Sequence, residues 1–275
     1  MNGRELLIYL SIKYKGNFEK IYKAIKEKEP LDDNMIKQEL SKINLKQVIT
    51  ILDKEYPNHF KTITSPPLVL YYKGDISLLN TIEPRLAVVG SRENSEYGEK
   101  ITRQIVKGLI TEGANPVIVS GLSRGIDAIA HDECLKNNGK TIGVLGCGID
   151  YIYPKANESL YKEIENNGLL ISEYPGTTAP EPDNFPMRNR LIAGASDKVL
   201  VTEAYKNSGT NLTVLFALKQ GKDVMSVPHE VGKESSCNKL IQDGAYLVEN
   251  ADDVDYLLND VRKEQRHEKN NEVEL

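Results

Sequence analysis

From Arg85 onward the chain repeats one unit: a short apolar run, then a stretch with apolar residues at three- and four-residue spacing. The runs are "RLAVVG" (85–90), "PVIVSG" (116–121), "TIGVLG" (141–146), "LLISEY" (169–174), "KVLVTEA" (198–204), "DVMSVP" (223–228) and "AYLVEN" (245–250). Helical patterns separate them at 97–112, 124–138, 156–167, 187–195, 210–220 and 235–243, and a last one covers 251–264. Val/Ile/Leu runs with little polar alternation suit strands buried on both faces, as in a parallel sheet. Strands joined by single helices give right-handed crossovers and an open sheet. The predicted fold is therefore α/β, a doubly wound, mostly parallel sheet.

The first 64 residues read differently. "GRELLIYLSIKY", "FEKIYKAIKEK", "NMIKQELSKIN" and "LKQVITILDKEY" each show helical periodicity, which predicts a small all-helical module. "SPPLVLYYKGD" (65–75) has two prolines, an apolar run and a Gly-Asp turn, so 65–84 is expected to be a linker and an edge strand. The sheet domain is expected over 85–260, and the mixed-charge stretch 261–275 as a flexible tail without a further folded domain.

Composition narrows the function classes. With 35 Lys+Arg against 40 Asp+Glu the net charge is −5, which weighs against a protein that coats DNA through a generally basic surface. Any polyanion partner must meet a local cluster of cations. No stretch approaches the ~20 apolar residues of a membrane span, and the charge-broken N-terminus does not read as a secretory signal. A cytoplasmic protein without membrane partner is expected. Cys134, Cys147 and Cys237 are scattered with no CxxC pair, against a disulfide framework or a structural metal site.

Ligands of such a sheet lie outside the carboxyl ends of its strands, and there the sequence is unusual. The ends read Gly90-Ser91-Arg92, then Ser120-Gly121-Leu122-Ser123-Arg124-Gly125, then Gly146-Cys147-Gly148 followed by Lys155 and Asn157. The fourth leads to Arg188, Asn189 and Arg190 in "FPMRNR"; after the fifth comes Ser208-Gly209-Thr210. Small residues let a ligand approach the backbone, and free N–H groups at helix starts favour anions. Arginines add forked donors that match phosphate oxygens, and a lysine adds a point charge.

Each piece also has a plain reading. "GSR" makes an ordinary tight turn, "GLSRG" an ordinary cap with Arg124 in solvent, and arginines on a surface helix serve solubility. A dinucleotide site is disfavoured, since G-x-G-x-x-G is missing after the first run and no acidic residue ends the second. Asp127 and His131, four apart, suit a helix-positioning hydrogen bond better than a metal. His229 either lines the pocket or caps a turn. Cys147 has no identifiable base and reads as a small residue that permits close approach.

Taken in order, "VVGSR", "VSGLSRGIDAIAH", "TIGVLGCGID", "IYP", "LISEYP", "RNRLIAG", "LVTEA", "SGT" and "VP" resemble the DNA-processing protein A family (DprA/Smf) from about Arg85 to Val248. The stretch "YPNHFKTITSPPLVLYYKG" resembles the family's approach to that core. The resemblance implies an extended Rossmann-like domain that binds single-stranded DNA, a SAM-like N-terminal module, a homodimer, and loading of the RecA recombinase in natural transformation and recombination. It implies no enzymatic activity and no cofactor. By position it makes Arg92 and Lys155 the central phosphate contacts, with "SGLSRG" and "FPMRNR" shaping the pocket. Cys237 stands where members usually have glycine, and the C-terminal winged-helix-like domain of many members is expected to be absent. The alternative reading is a nucleotide phosphoribohydrolase of the lysine-decarboxylase-like Rossmann group. Its PGGxGTxxE motif has no counterpart glutamate in Asn207-Ser208-Gly209-Thr210-Asn211-Leu212-Thr213.

Overall fold

The computed structural model describes residues 2–206 and 208–259. Three helices open the chain: α1 (Gly3–Lys13), α2 (Phe18–Lys26) and α3 (Asp33–Leu40). Asn2 caps α1 reciprocally, its side chain accepting from the Glu5 amide while the Glu5 carboxylate accepts from the Asn2 amide.

The fourth expected helix, "LKQVITILDKEY", does not form. After a 3₁₀ turn at Leu45–Gln47 the chain enters strand β1 (Val48–Thr50). Three β-branched residues favour the extended form, and the Asp53 carboxylate, held by Arg4, accepts from the Thr50 amide and turns the chain after it. Helix α4 (Asn58–Lys61) then leads to β2 (Val69–Gly74). The expected edge strand is an interior one, because β1 pairs with it antiparallel across the boundary expected at residue 64.

Beyond it the predicted alternation is realised. The elements are β3 (Arg85–Gly90), α5 (Glu96–Thr111), β4 (Val117–Ser120), α6 (Ile126–Lys136), β5 (Thr141–Val144), α7 (Glu158–Asn167) and β6 (Leu169–Ser172). Next come α8 (Asn184–Gly194), β7 (Lys198–Glu203), α9 (Thr210–Lys219), β8 (Val224–Ser226), α10 (Cys237–Gln242) and β9 (Tyr246–Leu247). Helix α11 covers 251–259; the rest of its expected span and the tail at 261–275 lie outside the described residues.

The sheet order is β1-β2-β6-β5-β4-β3-β7-β8-β9. Strands β3 to β9 pair parallel, while β2 is antiparallel to both β1 and β6. Strands β3 to β6 march one way. Helix α8 then carries the chain back, and β7 joins the other side of β3. That reversal makes the carboxyl end of β3 the topological switch point, where such sheets bind ligands.

Alternate residues of each strand serve opposite faces. Ala87, Val89, Val119 and Val144 pack under α4, α8 and α9 against Phe60, Leu191, Ile192 and Val214. Leu86, Val88, Ile118 and Leu200 pack under α5, α6 and α11 against Ile105, Leu109, Ile126 and Leu258. The N-terminal helices are no separate bead: Leu7, Ile8, Ile21 and Ile36 share a core with Val69, Tyr71, Leu145 and Leu160. Truncating a fully buried leucine such as Leu109 to alanine costs about 2–5 kcal/mol. Among the described residues no helix is long and apolar enough to cross a membrane.

Candidate nucleic-acid interface

A cavity of about 590 Å³ opens at the switch point, lined by Gly90, Ser91 and Arg92 after β3, by Arg188 and Asn189 of α8, and by Ser208, Gly209 and Thr210 at the start of α9. Eight of the sequence-selected residues therefore meet, although they come from three separate segments.

The turn after β3 is built tightly. The Ser91 amide donates to the Glu203 carbonyl at 2.8 Å, and its own carbonyl accepts from the Ile126 amide at 3.1 Å. The Ser91 hydroxyl and the Glu93 backbone close a small turn on each other. Ser91 thus orients the loop, and Arg92 projects from it into solvent. Gly125 has φ +76°, and a Cβ there would lie 2.2 Å from the Ser91 carbonyl oxygen. Only glycine lets α6 begin this close to the β3 turn.

The cations divide into three kinds. Arg92, Arg124 and Lys155 are exposed. Arg188 is 3% exposed, with Nη1 donating to the Gly121 and Val144 carbonyls and Nε to the Asn189 Oδ1. Burial disfavours its charge, and Asp127 across the cavity restores it in part. Among the described residues the arginine ion pairs involve Arg4, Arg85, Arg103 and Arg190, and never Arg92, Arg124 or Arg188.

Arg190 is the correction. It was expected beside Arg188, yet two positions along a helix is about 200° around its axis, and it points the other way. Its guanidinium holds the buried Glu173 carboxylate in a fork, Nη1 to Oε2 at 2.7 Å and Nη2 to Oε1 at 2.6 Å. It lines a second cavity of about 470 Å³ bordered by Lys13 to Lys20. Ser120 and Gly121 are also framework: the Ser120 hydroxyl is fully buried on the Val88 carbonyl, and Gly121 makes room for Arg188. Asn157 braces the loops, its amide nitrogen donating to the Leu122 carbonyl at 2.9 Å. Lys155 and Arg124 stand outside the cavity lining.

Residues the sequence reading passed over complete the rim. Phe185 lies 5.7 Å from the Arg92 guanidinium, 6.0 Å from that of Arg188 and 5.6 Å from the Tyr153 ring. It sits over Gly146, where a Cβ would approach its ring to 2.7 Å. Tyr153, two residues before Lys155, ties the β5 loop to the arginines. The signal in the sequence is the aromatic neighbour of the cations in "FPMRNR" and "YIYPK". Tyr205, Lys206, Glu93 and Glu234 also line the cavity, as does Asp127, which the sequence singled out for its spacing to His131.

The remaining candidates fall elsewhere. His131 is fully buried, its Nδ1 2.6 Å from the Thr141 hydroxyl, and Asp127 takes the Ser123 hydroxyl at 2.5 Å, so the two serve separate partners. His229 meets the Thr202 carbonyl and the edge of Tyr97, away from the cavity. Cys147 and Cys237 are buried, burial pushing the Cys147 thiol up to about 11. Cys237 begins α10 and is not part of the lining.

The sequence profile of the family described as DNA recombination-mediator protein A matches residues 47–259. The chain belongs to that family. DNA processing protein DprA of Streptococcus pneumoniae is 42% identical over 226 residues, 82% of this chain and 77% of that protein. Its X-ray structure superposes with a TM-score of 0.75 at 37% identity, covering 91% of this chain and 92% of that one. Protein Smf of a Synechocystis strain is 43% identical over 74% of this chain, which spans about half of that relative, 51%. DNA processing protein A of Helicobacter pylori, whose structure concerns a unique single-stranded DNA binding mode, has a TM-score of 0.69 at 32% identity and covers 79% of this chain and 97% of its own.

Proposed function

We propose that this rim binds single-stranded DNA by its phosphate backbone. One observation carries the reading: at the switch-point cavity Arg92 lies exposed over Phe185 while Arg188 lies buried beside it, neither in an ion pair with a described carboxylate. On a chain of net charge −5, polyanion attraction has to come from such a local cluster. The single-stranded DNA binding of the Helicobacter pylori relative supports it.

In this mechanism Arg92 grips one phosphate through two parallel N–H donors, and Arg188 adds charge from beneath. Lys155 on the β5 loop takes a neighbouring phosphate as a point charge. Tyr153, which is 46% exposed, and Phe185 offer ring faces on which any base can stack. The binding is largely blind to sequence. A flexible strand can follow the rim; a stiff duplex cannot bend into it. The protein binds DNA without cleaving it, needs no cofactor, and works in the cytoplasm in DNA processing for transformation and recombination. It hands the strand to RecA as a homodimer, whose second site then acts at raised effective concentration.

The test is fluorescence anisotropy with an oligo-dT across a salt series, wild type beside an Arg92→Ala/Lys155→Ala variant. With about three phosphates neutralised, log affinity falls against log salt with a slope near −2, at about −0.7 per phosphate. Unchanged affinity in a variant that circular dichroism shows to be folded refutes the site, and equal competition by duplex refutes the single-strand preference.

A further inference from the structure

Arg188 is the most deeply buried cation of the cavity, and every partner it has is neutral. A buried charge without an anionic partner is costly, and neutral hydrogen bonds return only part of that. Asp127 attracts it across the cavity without closing to ion-pair distance, since its carboxylate is engaged by the Ser123 hydroxyl. The Nη2 nitrogen donates to no described residue.

Asn189 links this guanidinium to a second anion-seeking group. Its Oδ1 accepts from the Arg188 Nε at 3.2 Å, and its Nδ2 donates to the Gly209 carbonyl at 3.2 Å. The ten-residue helix α9 begins at the next position, so its N-terminus opens on the cavity that Arg188 lines. Space over Gly209 is free: a Cβ there would meet nothing within 4 Å. Val89, Ile192 and Tyr205 supply an apolar wall, and 590 Å³ falls within the range of about 300–1,000 Å³ for small-ligand sites.

A mid-strand phosphodiester carries one charge and continues on both sides, which suits the rim better than the depth at which Arg188 lies. A terminal phosphomonoester carries about −1.5 to −2 at neutral pH and continues on one side only. We infer that the cavity takes a nucleotide bearing a terminal phosphomonoester, its phosphate on Arg188 and the turn before α9, its nucleoside along Val89, Ile192 and Tyr205. The inference rests on the single-strand reading of the rim above. The nucleotide is either a phosphorylated strand end or a free mononucleotide.

The experiment compares internally labelled oligo-dT with a 5′-phosphate, with a 3′-phosphate, and with hydroxyls at both ends. One phosphorylated form is expected to bind about tenfold tighter than the hydroxyl form, the worth of one added charged hydrogen bond. Asn189→Ala brings that ratio towards one, whereas Arg92→Ala weakens all three forms alike; should Asn189→Ala fail to fold in a thermal melt, Arg188→Lys replaces it. Displacement of the phosphorylated oligonucleotide by thymidine 5′-monophosphate supports the free nucleotide as a source, and persistence of the end preference without displacement supports the strand end. Equal binding of all three forms with no displacement overturns the inference and leaves the single-strand reading standing. If no oligonucleotide binds while thymidine 5′-monophosphate does, the single-strand reading falls and the monophosphate site remains; if nothing binds, both fall.

Discussion

Arg188 reaches across from α8 to donate to the carbonyl of Gly121, and it lies so close that a Cβ at 121 would stand 2.6 Å from its Nη1. The glycine after β4 thus exists for an arginine 67 residues away. Gly121→Ala is expected to displace the guanidinium from its carbonyl cradle, costing about 1–3 kcal/mol of stability and lowering single-strand affinity. Urea denaturation and anisotropy read the two effects. A variant as stable and as tight as wild type would contradict this account of the pocket floor.

Arg190 separates fold from binding. Its forked pair with Glu173 has both side chains under one-tenth exposed, 3% and 6%. Arg190→Met leaves a buried carboxylate alone and is expected to cost about 3–5 kcal/mol, of which an added Glu173→Leu recovers much. Affinity per folded molecule should stay at the wild-type value in both, in contrast to Arg92→Ala, which is expected to lose about 1.5–3 kcal/mol of binding with stability intact.

Gly125 tests the backbone directly. At φ +76° with the Ser91 carbonyl 2.2 Å from any added Cβ, Gly125→Ala must move α6 away from the β3 turn. The expected loss is about 1–3 kcal/mol, with weaker DNA binding because Arg92 follows Ser91. Gly209→Ala, in open space, is the control and should keep its stability.

Acid should unfold the protein through buried histidines. Burial lowers His131 to about 3, and burial with the Arg85 and Lys222 charges lowers His59 to about 2. Each folded-state value lies below the ordinary 6.5, so the unfolded chain binds the extra proton. Their stabilisation is present in full above pH 6.5 and is lost as pH falls towards 3. The loss is up to about 1.4 kcal/mol per pH unit for each group. Stability by urea denaturation at pH 7, 6 and 5 should fall accordingly, and less steeply in His131→Asn.

Legibility in the sequence followed the range of the physics. The seven strands from Arg85 could be read because burial on both faces forces unbroken Val/Ile/Leu runs, a local signal. "LKQVITILDKEY" carries helical periodicity, yet the pairing of Val48–Thr50 to a strand about 20 residues on overrides it. The same distance effect hid the aromatic rim. Phe185 and Tyr153 are 32 positions apart, and nothing local says that their rings lie 5.6 Å apart.

The chain by itself determined the alternation of strands and helices, the glycines at the strand ends and the supply of cations on an acidic body, because periodicity and residue chemistry are local properties. The three-dimensional packing alone decided which cation goes where. It left Arg92 in solvent, buried Arg188 against neutral carbonyls and gave Arg190 to Glu173. The reason is helical geometry: side chains two residues apart on α8 leave on nearly opposite faces, and the elements waiting on each face settle their partners and their roles.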